Sequence, residues 1–514
     1  MPIMKENART AYYRPQWTCG RYNADTHAAI YYNNVTGFSY FFEDASADVV
    51  GTVLAKGRNN AFTIAELSQS LMITEDSIEQ FVQMLMNEGL ITSEAVTEED
   101  IACYRQAVVR FRQNQPHNID KPVQEKLPMS LSSAEQSYIA KAGIAASVMF
   151  ELTYRCSEMC IHCYNIGATR NDEEVSHRAD IQELSLEEYK RVIDELYELG
   201  LFKVCFSGGD PFSNANAWDL IDYVYSKEIA FDIYTNGQRL TDYKRLANYF
   251  PRAVGISIYS GVARDHDYIT RVKGSWEKSV RAMRELAALS VPLELKCCIM
   301  RPNLKSYHTI YDLCHQFGAQ PQMEINISDS IEGDQCARSL RLQPEELEVV
   351  LRDENLALYV GKEAPRYGGI QRDLTQNACG AGDNTFCITP NGDVIPCCAF
   401  HLHYGNVREQ SIAEILTTSK NKAYWNRLTL NDYEECGTHD YCNYCNLCAG
   451  HNMTEHGTPT RAGENCCYTA KIRHSLAMRM MNEGYDPLNG KSLAERLSEF
   501  PNFIPKKLQR IYAK

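Results

Sequence analysis

The 514-residue sequence has no apolar run of about eighteen residues, the length that a membrane-spanning helix needs. It also has no apolar segment behind basic residues near its start, which is the pattern of a secretory signal. Extended runs of Lys and Arg are missing, and the net charge is -14, so a phosphate backbone would meet no basic surface. We therefore expect a cytoplasmic protein, with neither a membrane nor a nucleic acid among its partners.

Cysteine is scarce in the first 150 residues, which contain only Cys19 and Cys103, although the whole chain has 20 cysteines. Three of them lie within "CSEMCIHC", and the largest group lies between residues 379 and 467. Because no export signal is visible, we interpret them as reduced thiols and metal ligands rather than as a disulfide framework. Their grouping predicts two separate metal regions.

The residues before the first cysteine group contain strand and helix patterns. Strand-like "AIYYNNVTGFSYFFE" precedes helix-like "SADVVGTVLAKG", and the helical patterns "FTIAELSQSL" and "SIEQFVQMLMNEGLIT" follow. Two short helices and a turn before a third element predict a winged-helix-like α+β module over residues 1–113. Residues 114–145 are polar and interrupted by proline, so we predict a linker there.

Strand-like and helical segments alternate over residues 146–345. The strand-like segments are "SVMFELTY", "FKVCFSGG", "FDIYTNG", "AVGISIYS", "LELKCCIM" and "QMEINIS". This repeat predicts an α/β fold in which six βα units form a partial, open parallel barrel. One helix is well marked, because Ser185 and Glu188 form a capping box and Gly200 closes it. Its apolar stripe consists of Leu186, Tyr189, Val192, Ile193 and Leu196.

Residues of unusual chemistry follow the predicted strands at their C-terminal ends. In parallel barrels the chemistry takes place at this end, where the βα loops gather. The cysteines of "CSEMCIHC" follow the first strand. The next three strands bring Gly208, Gly209, Asp210, Asn236 and Ser257 to the same rim. We therefore predict that this rim carries the functional site.

Cys156, Cys160 and Cys163 follow the spacing C-x-x-x-C-x-x-C. Three thiolates suit a four-iron cluster in which the fourth iron has no protein ligand. The alternative is a zinc site with a distant fourth ligand, although this spacing is not a usual zinc pattern. The spacing, with the His162 ring before the last cysteine, resembles the radical S-adenosylmethionine (radical SAM) superfamily. The resemblance implies that the open iron chelates S-adenosylmethionine, whose reductive cleavage yields a 5′-deoxyadenosyl radical.

Other rim residues resemble cofactor contacts of that superfamily. "SGGDP" resembles its Gly-Gly-Glu-Pro segment, which implies that Gly208 and Gly209 let the backbone approach the methionine group. Asp210 stands where the family has Glu, and Gly-Gly-Asp alone is also typical of a turn. Asn236 and Ser257 are similar to family positions near the ribose and the carboxylate. The alternative for both is an ordinary residue at the end of a strand.

Residues 346–474 resemble the SPASM extension, which implies two auxiliary four-iron clusters and so three clusters in total. Cys379 followed by "GDVIPC" carries the resemblance, whereas the C-x-x-C pair that opens the second half of the family pattern is absent. The implied ligands of the first auxiliary cluster are Cys379, Cys397 and Cys448, with Cys387 as a candidate fourth. The implied ligands of the second are Cys436, Cys442, Cys445 and Cys467.

Three of these cysteine assignments have open alternatives. Cys387 lies in a strand-like run where a core thiol serves equally well. Cys466 competes with Cys467, and Cys398 lies directly beside Cys397. Two structural zinc ions are the alternative for the whole region, because C-x-x-C-x-x-C also binds zinc. Residues 475–514 are amphipathic, and we predict a helical tail there.

The N-terminal module resembles the leader-recognition element of enzymes that mature ribosomally made peptides. Such modules add the leader as an extra strand at a sheet edge. A DNA-binding wing is the alternative, but the module is rich in Asp and Glu. Together the resemblances imply a radical SAM maturase whose partners are a precursor peptide and an electron donor such as flavodoxin or ferredoxin.

The expected product is a thioether between a cysteine and a neighbouring residue of the peptide. Carbon–carbon cross-links, epimerisation and backbone excision use similar parts and remain alternatives. A further enzymatic alternative is protein maturation, such as formylglycine formation in a sulfatase. The alternative from another class is an iron–sulfur or zinc regulator with a winged-helix reader. No residue stands out as the catalytic acid or base.

Overall fold

The N-terminal part of the molecule is a three-stranded sheet covered by helices. The computed structural model describes residues 10–114, 131–143, 147–165, 181–356, 358–361, 373–434 and 436–503. The strands of the N-terminal module are β1 (Ala11–Tyr13), β2 (Thr18–Asn23), β3 (Ala28–Asn33), β4 (Phe38–Glu43) and β5 (Ala61–Thr63). Its helices are α1 (Asp44–Ala55), α2 (Ile64–Leu71), α3 (Glu75–Asn87) and α4 (Glu98–Asn114). β3 is the central strand between antiparallel β2 and β4, and β1 pairs with β5.

The two faces of the β2–β4 sheet are both covered. On one face, Tyr31 and Phe42 join the core formed by α1, α2 and α3. On the other face lies α5 (Ser133–Ala142), whose Tyr138 packs with Tyr32 of β3. α5 lies within the segment predicted as a linker. Ser132 and Glu135 exchange hydrogen bonds in a capping box at the start of this helix. This capping box was the sequence feature that indicated a helix among the surrounding polar residues.

The central sheet contains all six predicted parallel strands. They are β6 (Ser147–Glu151), β7 (Lys203–Ser207), β8 (Ala230–Thr235), β9 (Ala253–Ser257), β10 (Leu293–Cys298) and β11 (Gln320–Glu324). Each pairs in parallel with the next in chain order. The pairing order is open at β11, and the α/β fold with a central parallel sheet agrees with the prediction.

Helices alternate with these strands and bury their apolar faces against the sheet. They are α6 (Leu186–Glu198), α7 (Ala217–Ser226), α8 (Tyr243–Asn248), α9 (Ala263–Thr270), α10 (Ser275–Ala288) and α11 (Ile310–Phe317). The predicted capping box of Ser185 and Glu188 is present at the start of α6, and the predicted stripe is buried with Leu186 at its margin. Full burial of one such aliphatic side chain contributes about 1.5–3 kcal/mol.

The C-terminal region continues the central sheet rather than standing apart from it. β12 (Thr385–Ile388) pairs in parallel with β6, and β13 (Asp393–Ile395) and β14 (Gly405–Asn406) follow in antiparallel pairs. The remaining helices are α12 (Pro344–Val350), α13 (Ile412–Thr418), α14 (Lys420–Arg427), α15 (Ala449–His456), α16 (Glu464–Glu483) and α17 (Leu493–Ser498). α16 runs through the predicted boundary at residue 474, because its apolar side packs on the preceding region.

Buried polar contacts attach the N-terminal module to the central sheet. The Lys203 ammonium, at the start of β7, lies 2.8 Å from the Glu135 carboxylate of α5. The Tyr32 hydroxyl donates to the same carboxylate at 2.9 Å. Both charged side chains are nearly inaccessible to solvent, so the module and the sheet share one polar contact inside the protein. Among the described helices, none has both the length and the apolar character that crossing a bilayer requires.

Candidate functional site

The three cysteines of the first motif lie on the loop after β6. The Cys156 sulfur accepts hydrogen bonds from the Glu158 backbone N–H at 3.4 Å and from Nδ2 of Asn236 at 3.3 Å. The loop backbone is attached to the end of α9, where Met159 and Ile161 donate to carbonyl oxygens. All three thiols are half-buried and free of disulfides. The loop therefore holds its sulfurs at the C-terminal edge of the sheet, where the sequence placed them.

The segment with Gly208 and Gly209 follows β7 and packs directly on this loop. The Gly209 N–H donates to the Thr153 carbonyl oxygen at 2.6 Å. A Cβ on Gly208, whose φ is +124°, would stand 2.3 Å from that same oxygen. A Cβ on Gly209 would stand 2.4 Å from the Arg155 carbonyl oxygen. Both positions therefore require glycine, because only glycine lets the two loops approach so closely.

Asp210 connects the ends of β7 and β8. Its carboxylate accepts hydrogen bonds from the Thr235 hydroxyl at 2.6 Å, the Asn236 N–H at 2.9 Å and the Phe212 N–H at 3.0 Å. Burial raises the pKa of this carboxyl group, and the three donors oppose that rise. Asp210 thus fixes Asn236, whose amide reaches Cys156. The shorter acid in place of the family's Glu is fully engaged within the protein.

His162 and Ser257 occupy the same rim. The His162 ring meets the Tyr259 ring edge to face at 4.7 Å. Burial lowers the pKa of His162 to about 4, so the ring is neutral near pH 7. Ser257 is the last residue of β9 and pairs in register with Lys296 of β10. β9 is the neighbour of β8, the strand that leads to Asn236.

Glu158, which lies between the first two cysteines, is a further residue of this site and was not among the predicted ones. Its side chain is 3% exposed, and one oxygen lies 3.6 Å from the Cys160 sulfur. Burial raises the pKa of Glu158 to about 8. Its position inside the cysteine motif was the available signal. Glu158 Oε1 and His162 Nδ1 are buried and have no hydrogen-bond partner within the described part of the chain.

The cysteines assigned to the first auxiliary cluster come from distant parts of the sequence. Burial raises the pKa of the Cys448 thiol to about 11, and the neighbouring Cys379 adds to this rise. A hydrogen bond with Cys398 raises the pKa of Cys397, and Cys448 contributes to that rise as well. The side chains of Cys379 and Cys397 also pack against the same hydrophobic core. Cys387 is fully buried in β12 among apolar groups, which is the environment of the core-thiol alternative.

The cysteines assigned to the second auxiliary cluster surround one cavity. The cavity has a volume of about 260 Å³. Its lining includes Cys436, Cys442, Cys445 and Cys467. Cys466 is 2% exposed and is not part of the lining, so the fold distinguishes the two adjacent cysteines. Four thiols around one cavity are what a cysteine-ligated cluster needs.

The donor sets therefore fit iron–sulfur clusters. Within the described ranges, no three Cys, His, Asp or Glu side chains converge on the position of a single metal ion. The second set of thiols is instead spaced around a cavity. At the first set, half-buried thiols lie beside two buried polar atoms whose hydrogen-bonding capacity the described residues do not use.

Two segments of the chain match known protein families. Residues 150–310 match the Radical SAM superfamily, and residues 379–449 match the SPASM iron–sulfur cluster-binding domain. The first segment covers β6 to β10 and the glycine segment, and the second covers β12 to β14 and most of the C-terminal cysteines.

Several characterised proteins resemble the chain. An AdoMet-dependent heme synthase of Oleidesulfovibrio alaskensis is 26% identical over 69% of this chain and 96% of that protein. The subtilosin biosynthesis protein AlbA of Bacillus subtilis is 25% identical over 63% of this chain and 70% of AlbA. Mycofactocin maturase MftC of Mycobacterium tuberculosis is 29% identical over 50% of this chain and 66% of MftC.

Two solved structures share the fold. Streptococcus suis SuiB, crystallised with the precursor peptide SuiA, has a TM-score of 0.52 at 12% identity and covers 89% of this chain and 99% of SuiB. The enzyme anSMEcpe, solved with AdoMet and a peptide, has a TM-score of 0.51 at 15% identity, covering 68% of this chain and 100% of that chain. This chain therefore contains a Radical SAM domain, which holds its cysteine loop and its glycine segment, and a SPASM iron–sulfur cluster-binding domain.

Proposed function

We propose that the chain is a maturase that binds a ribosomally made precursor peptide through its leader and modifies the core of that peptide by radical chemistry. The N-terminal module is the observation that carries the proposal. The heme synthase is matched over 96% of its own length and yet accounts for only 69% of this chain. SuiB, whose structure contains a precursor peptide, has a fold that spans 89% of this chain.

The leader would pair with the outer edge of β4. β4 hydrogen-bonds only to β3 among the described strands, so its second edge carries no strand there. α3 lies alongside, where the Phe81 ring meets Phe42 at 5.5 Å and Glu88 accepts from the Tyr40 hydroxyl at 2.6 Å. An open edge beside an amphipathic helix offers main-chain hydrogen bonds and side-chain pockets to an extended peptide. In this proposal the winged-helix-like module is the part of the chain that recognises the leader.

The leader edge and the cysteine loop lie at opposite ends of the central sheet. Lys203, at the start of β7, contacts α5, which packs on the N-terminal module. Gly209, just beyond the end of β7, contacts the cysteine loop. A five-residue strand spans roughly 17 Å at about 3.3 Å per residue. A precursor therefore needs more than about five extended residues between the paired leader segment and the residue that is modified.

The rim residues would hold the cofactors. Cys156, Cys160 and Cys163 would ligate a four-iron cluster, and Gly208 and Gly209 would leave room for S-adenosylmethionine beside it. The bound pair supplies a 5′-deoxyadenosyl radical that removes a hydrogen atom from the substrate. Asp210 would keep Asn236 and the cysteine loop in place. His162 and Ser257 would line the cofactor pocket.

The C-terminal cysteines would hold two auxiliary four-iron clusters, giving three clusters in all. An electron donor of the flavodoxin or ferredoxin class would reduce the first cluster, and the reaction would take place in the cytoplasm. A thioether is the product that we favour. Forming the sulfur–carbon bond would require the loss of one hydrogen atom from a peptide carbon and of one proton and one electron from the cysteine thiol; clusters held by the C-terminal cysteines would supply the acceptor for that electron.

The test is turnover of a precursor peptide by the anaerobically reconstituted enzyme. The substrate to use is the short peptide encoded beside this gene, with dithionite as reductant and S-adenosylmethionine. We expect 5′-deoxyadenosine to form together with a peptide lighter by two hydrogen atoms for each thioether. Unchanged peptide mass with uncoupled 5′-deoxyadenosine formation would contradict the maturase proposal. A peptide of unchanged mass that contains a residue of inverted configuration would show that the reaction is epimerisation and not thioether formation.

A matched pair of variants tests the leader edge without removing the module. Phe38 at the start of β4 is 60% exposed, and Met72 at the end of α2 is 95% exposed. Phe38→Ser should weaken precursor binding by roughly tenfold, the effect of losing one apolar contact of about 1.4 kcal/mol, and should leave cleavage of S-adenosylmethionine intact. Met72→Ser should leave both unchanged, because Met72 lies off the sheet edge. Fluorescence anisotropy with a labelled precursor measures the difference.

Maturation of a folded protein, such as formylglycine formation, is the rival function. The fold of anSMEcpe covers 68% of this chain, whereas that of SuiB covers 89%. If a sulfatase-derived peptide were converted with the Phe38→Ser variant as fast as with the wild type, this rival would replace the leader-dependent proposal.

A further inference from the structure

Arginines of the N-terminal module bind the C-terminal ends of three helices that cover the central sheet. The last carbonyl oxygens of a helix lack partners within it and carry partial negative charge, so a guanidinium group suits this position. Arg21 of β2 contacts α6, Arg58 between α1 and β5 contacts α7, and Arg105 of α4 contacts α8. The same kind of contact therefore occurs at three successive helices.

The guanidinium groups also lie over aromatic rings at these helix ends. Arg21 donates to the Tyr197 carbonyl oxygen at 2.5 Å, and its guanidinium carbon is 3.5 Å from the centre of the Tyr197 ring. Arg58 donates to the Tyr225 carbonyl oxygen at 3.1 Å and lies 3.9 Å from the centre of the Tyr225 ring. A cation over an aromatic face is attracted to it, in addition to the hydrogen bond.

The contact at α8 is buried in a core that the module and the sheet share. Arg105 is 8% exposed, donates to the Ala247 carbonyl oxygen and lies 4.4 Å from the centre of the Phe250 ring. Phe250 packs with Trp17 and Ile101 of the module in one cluster of buried apolar side chains. A second such cluster joins β3 and α5 to the start of β8. Shared apolar cores of this kind restrict the movement of one part of a chain against another.

We propose that this interface holds the module at one fixed position on the central sheet, and that this position sets the shortest precursor that the enzyme can modify. The inference rests on the proposed leader-dependent function and adds a length requirement to its substrate. A module on a mobile tether could carry a bound leader toward the cysteine loop, whereas a fixed module requires the peptide to cover the whole distance. Arg21, Arg58 and Arg105 are then positioning residues, because they act on the peptide only through the placement of the module.

The distance that the peptide must cover follows from β7. This strand leads from the contact with α5 to the rim with the cysteine loop, and its five residues, Lys203–Ser207, span about 17 Å. An extended peptide advances at most about 3.3–3.6 Å per residue, so about five residues reach no farther than β7 itself. We therefore expect that a spacer of about five residues or fewer between the paired leader segment and the modified residue is too short.

The first measurement uses a series of shortened precursors with the full-length enzyme. The parent is the short peptide encoded beside this gene, and residues between its leader and its modified residue are deleted one at a time. Modification, measured by mass spectrometry, should stop abruptly at a threshold length and should be absent at about five spacer residues or fewer. Leader binding, measured by fluorescence anisotropy, should stay constant through the series, because the deleted residues lie outside the paired segment.

The second measurement repeats the series with a weakened interface. Arg58→Met combined with Arg105→Met removes two of the three helix-end contacts and keeps unbranched side chains at both positions. The threshold should fall by about one residue for every 3.3 Å that the module can then move toward the cysteine loop. Arg110→Met is the matched control, because Arg110 is an exposed residue of the same helix α4. Its threshold should equal that of the wild type.

The outcomes separate this inference from the proposed function. Modification of a precursor with fewer than about five spacer residues by the wild type overturns the inference. A threshold that is the same in the wild type and in the weakened interface overturns it as well. Binding without modification at every spacer length, the native one included, contradicts the proposed function itself. If the methionine variant no longer binds the leader, Arg58→Lys with Arg105→Lys, which keeps both charges but not the planar groups, should give a smaller shift in the same direction.

Discussion

The two cysteine regions of the molecule are built in different ways. The first holds its three thiols on one loop, within eight residues of sequence, and neighbouring strand ends support that loop. The second collects its thiols from positions between residues 379 and 467, and four of them, Cys436, Cys442, Cys445 and Cys467, line one cavity of the folded chain. A local motif can therefore be read from its spacing, whereas a site assembled over long distances depends on the strands and helices that carry it.

The largest difference between the regions should appear when a thiol is removed from each. Cys160→Ala should abolish cleavage of S-adenosylmethionine to 5′-deoxyadenosine, because the first cluster loses one of only three protein ligands. Cys442→Ala should retain most of the cleavage and lose the modified peptide, since Cys442 lines the cavity of the proposed second auxiliary site. Chromatography of 5′-deoxyadenosine and mass spectrometry of the peptide measure the two results.

The control for this pair is Cys103→Ala. Cys103 is an exposed free thiol on α4, far from both regions in sequence, and its removal should change neither reaction. Equal loss of cleavage in the Cys160 and Cys442 variants would mean that cleavage of S-adenosylmethionine depends equally on both cysteine regions.

The same contrast explains what could be predicted from the sequence. The six parallel strands and the α6 capping box follow from local periodicity and local hydrogen bonds, which do not depend on distant residues. The rim positions of Asp210 and Asn236 follow from the rule that strands of a parallel sheet end together. Their direct contact, and the contact of Asn236 with Cys156, required the folded structure.

What the sequence could not supply are the contacts between distant segments. The pairing of β12 with β6 places the Cys387 side chain inside the sheet, and no local pattern encodes this register. Cys467 lines the cavity and Cys466 does not, because α16 presents the two side chains in different directions. The capping box of α5 is visible in the sequence. Because proline and polar residues lie on either side of it, the segment was interpreted as a linker.

Removing the carboxylate of Asp210 should disturb the first region without touching a cysteine. Asp210→Ala leaves three donors without their acceptor inside the protein, and each buried unsatisfied group costs about 1–3 kcal/mol. We expect a lower free energy of unfolding by several kcal/mol and weaker binding of S-adenosylmethionine. Urea denaturation and calorimetric titration of the reconstituted enzyme measure the two effects.

Asp242 offers the matched control for Asp210. It accepts a hydrogen bond from the Arg245 N–H at 3.0 Å at the start of α8, on the exposed side of the same domain. Asp242→Ala should cost about 1 kcal/mol, the usual effect of losing a helix cap, and should not change the affinity for S-adenosylmethionine. If both variants weaken cofactor binding equally, Asp210 acts only through the overall stability of the domain.

The smallest expected effect concerns the contact between the two regions. Arg408 follows β14 and lies with its Nε 2.7 Å from a carboxylate oxygen of Glu188 in α6. Hydrogen bonding to Arg408 lowers the pKa of Glu188 to about 2. The pKa of Glu188 is lower in the folded state than in the unfolded state, where it is near 4.3. The ion pair therefore stabilises the folded protein at pH values above about 4.3, and this stabilisation is lost as the pH falls toward 2. Because both side chains are partly exposed, we expect less than about 1 kcal/mol.

Arg408→Met should therefore lower the free energy of unfolding slightly at pH 7 and flatten its decline between pH 4.5 and 3, measured by urea denaturation of the full chain. Glu188→Gln should reproduce both changes, and the double variant should add little to either, because each substitution removes the same ion pair. Lys190→Met is the control, since Lys190 on α6 pairs with Glu187 of its own helix. A decline with pH that is equally steep in the wild type and in Arg408→Met would show that solvent screens this contact between the two regions completely.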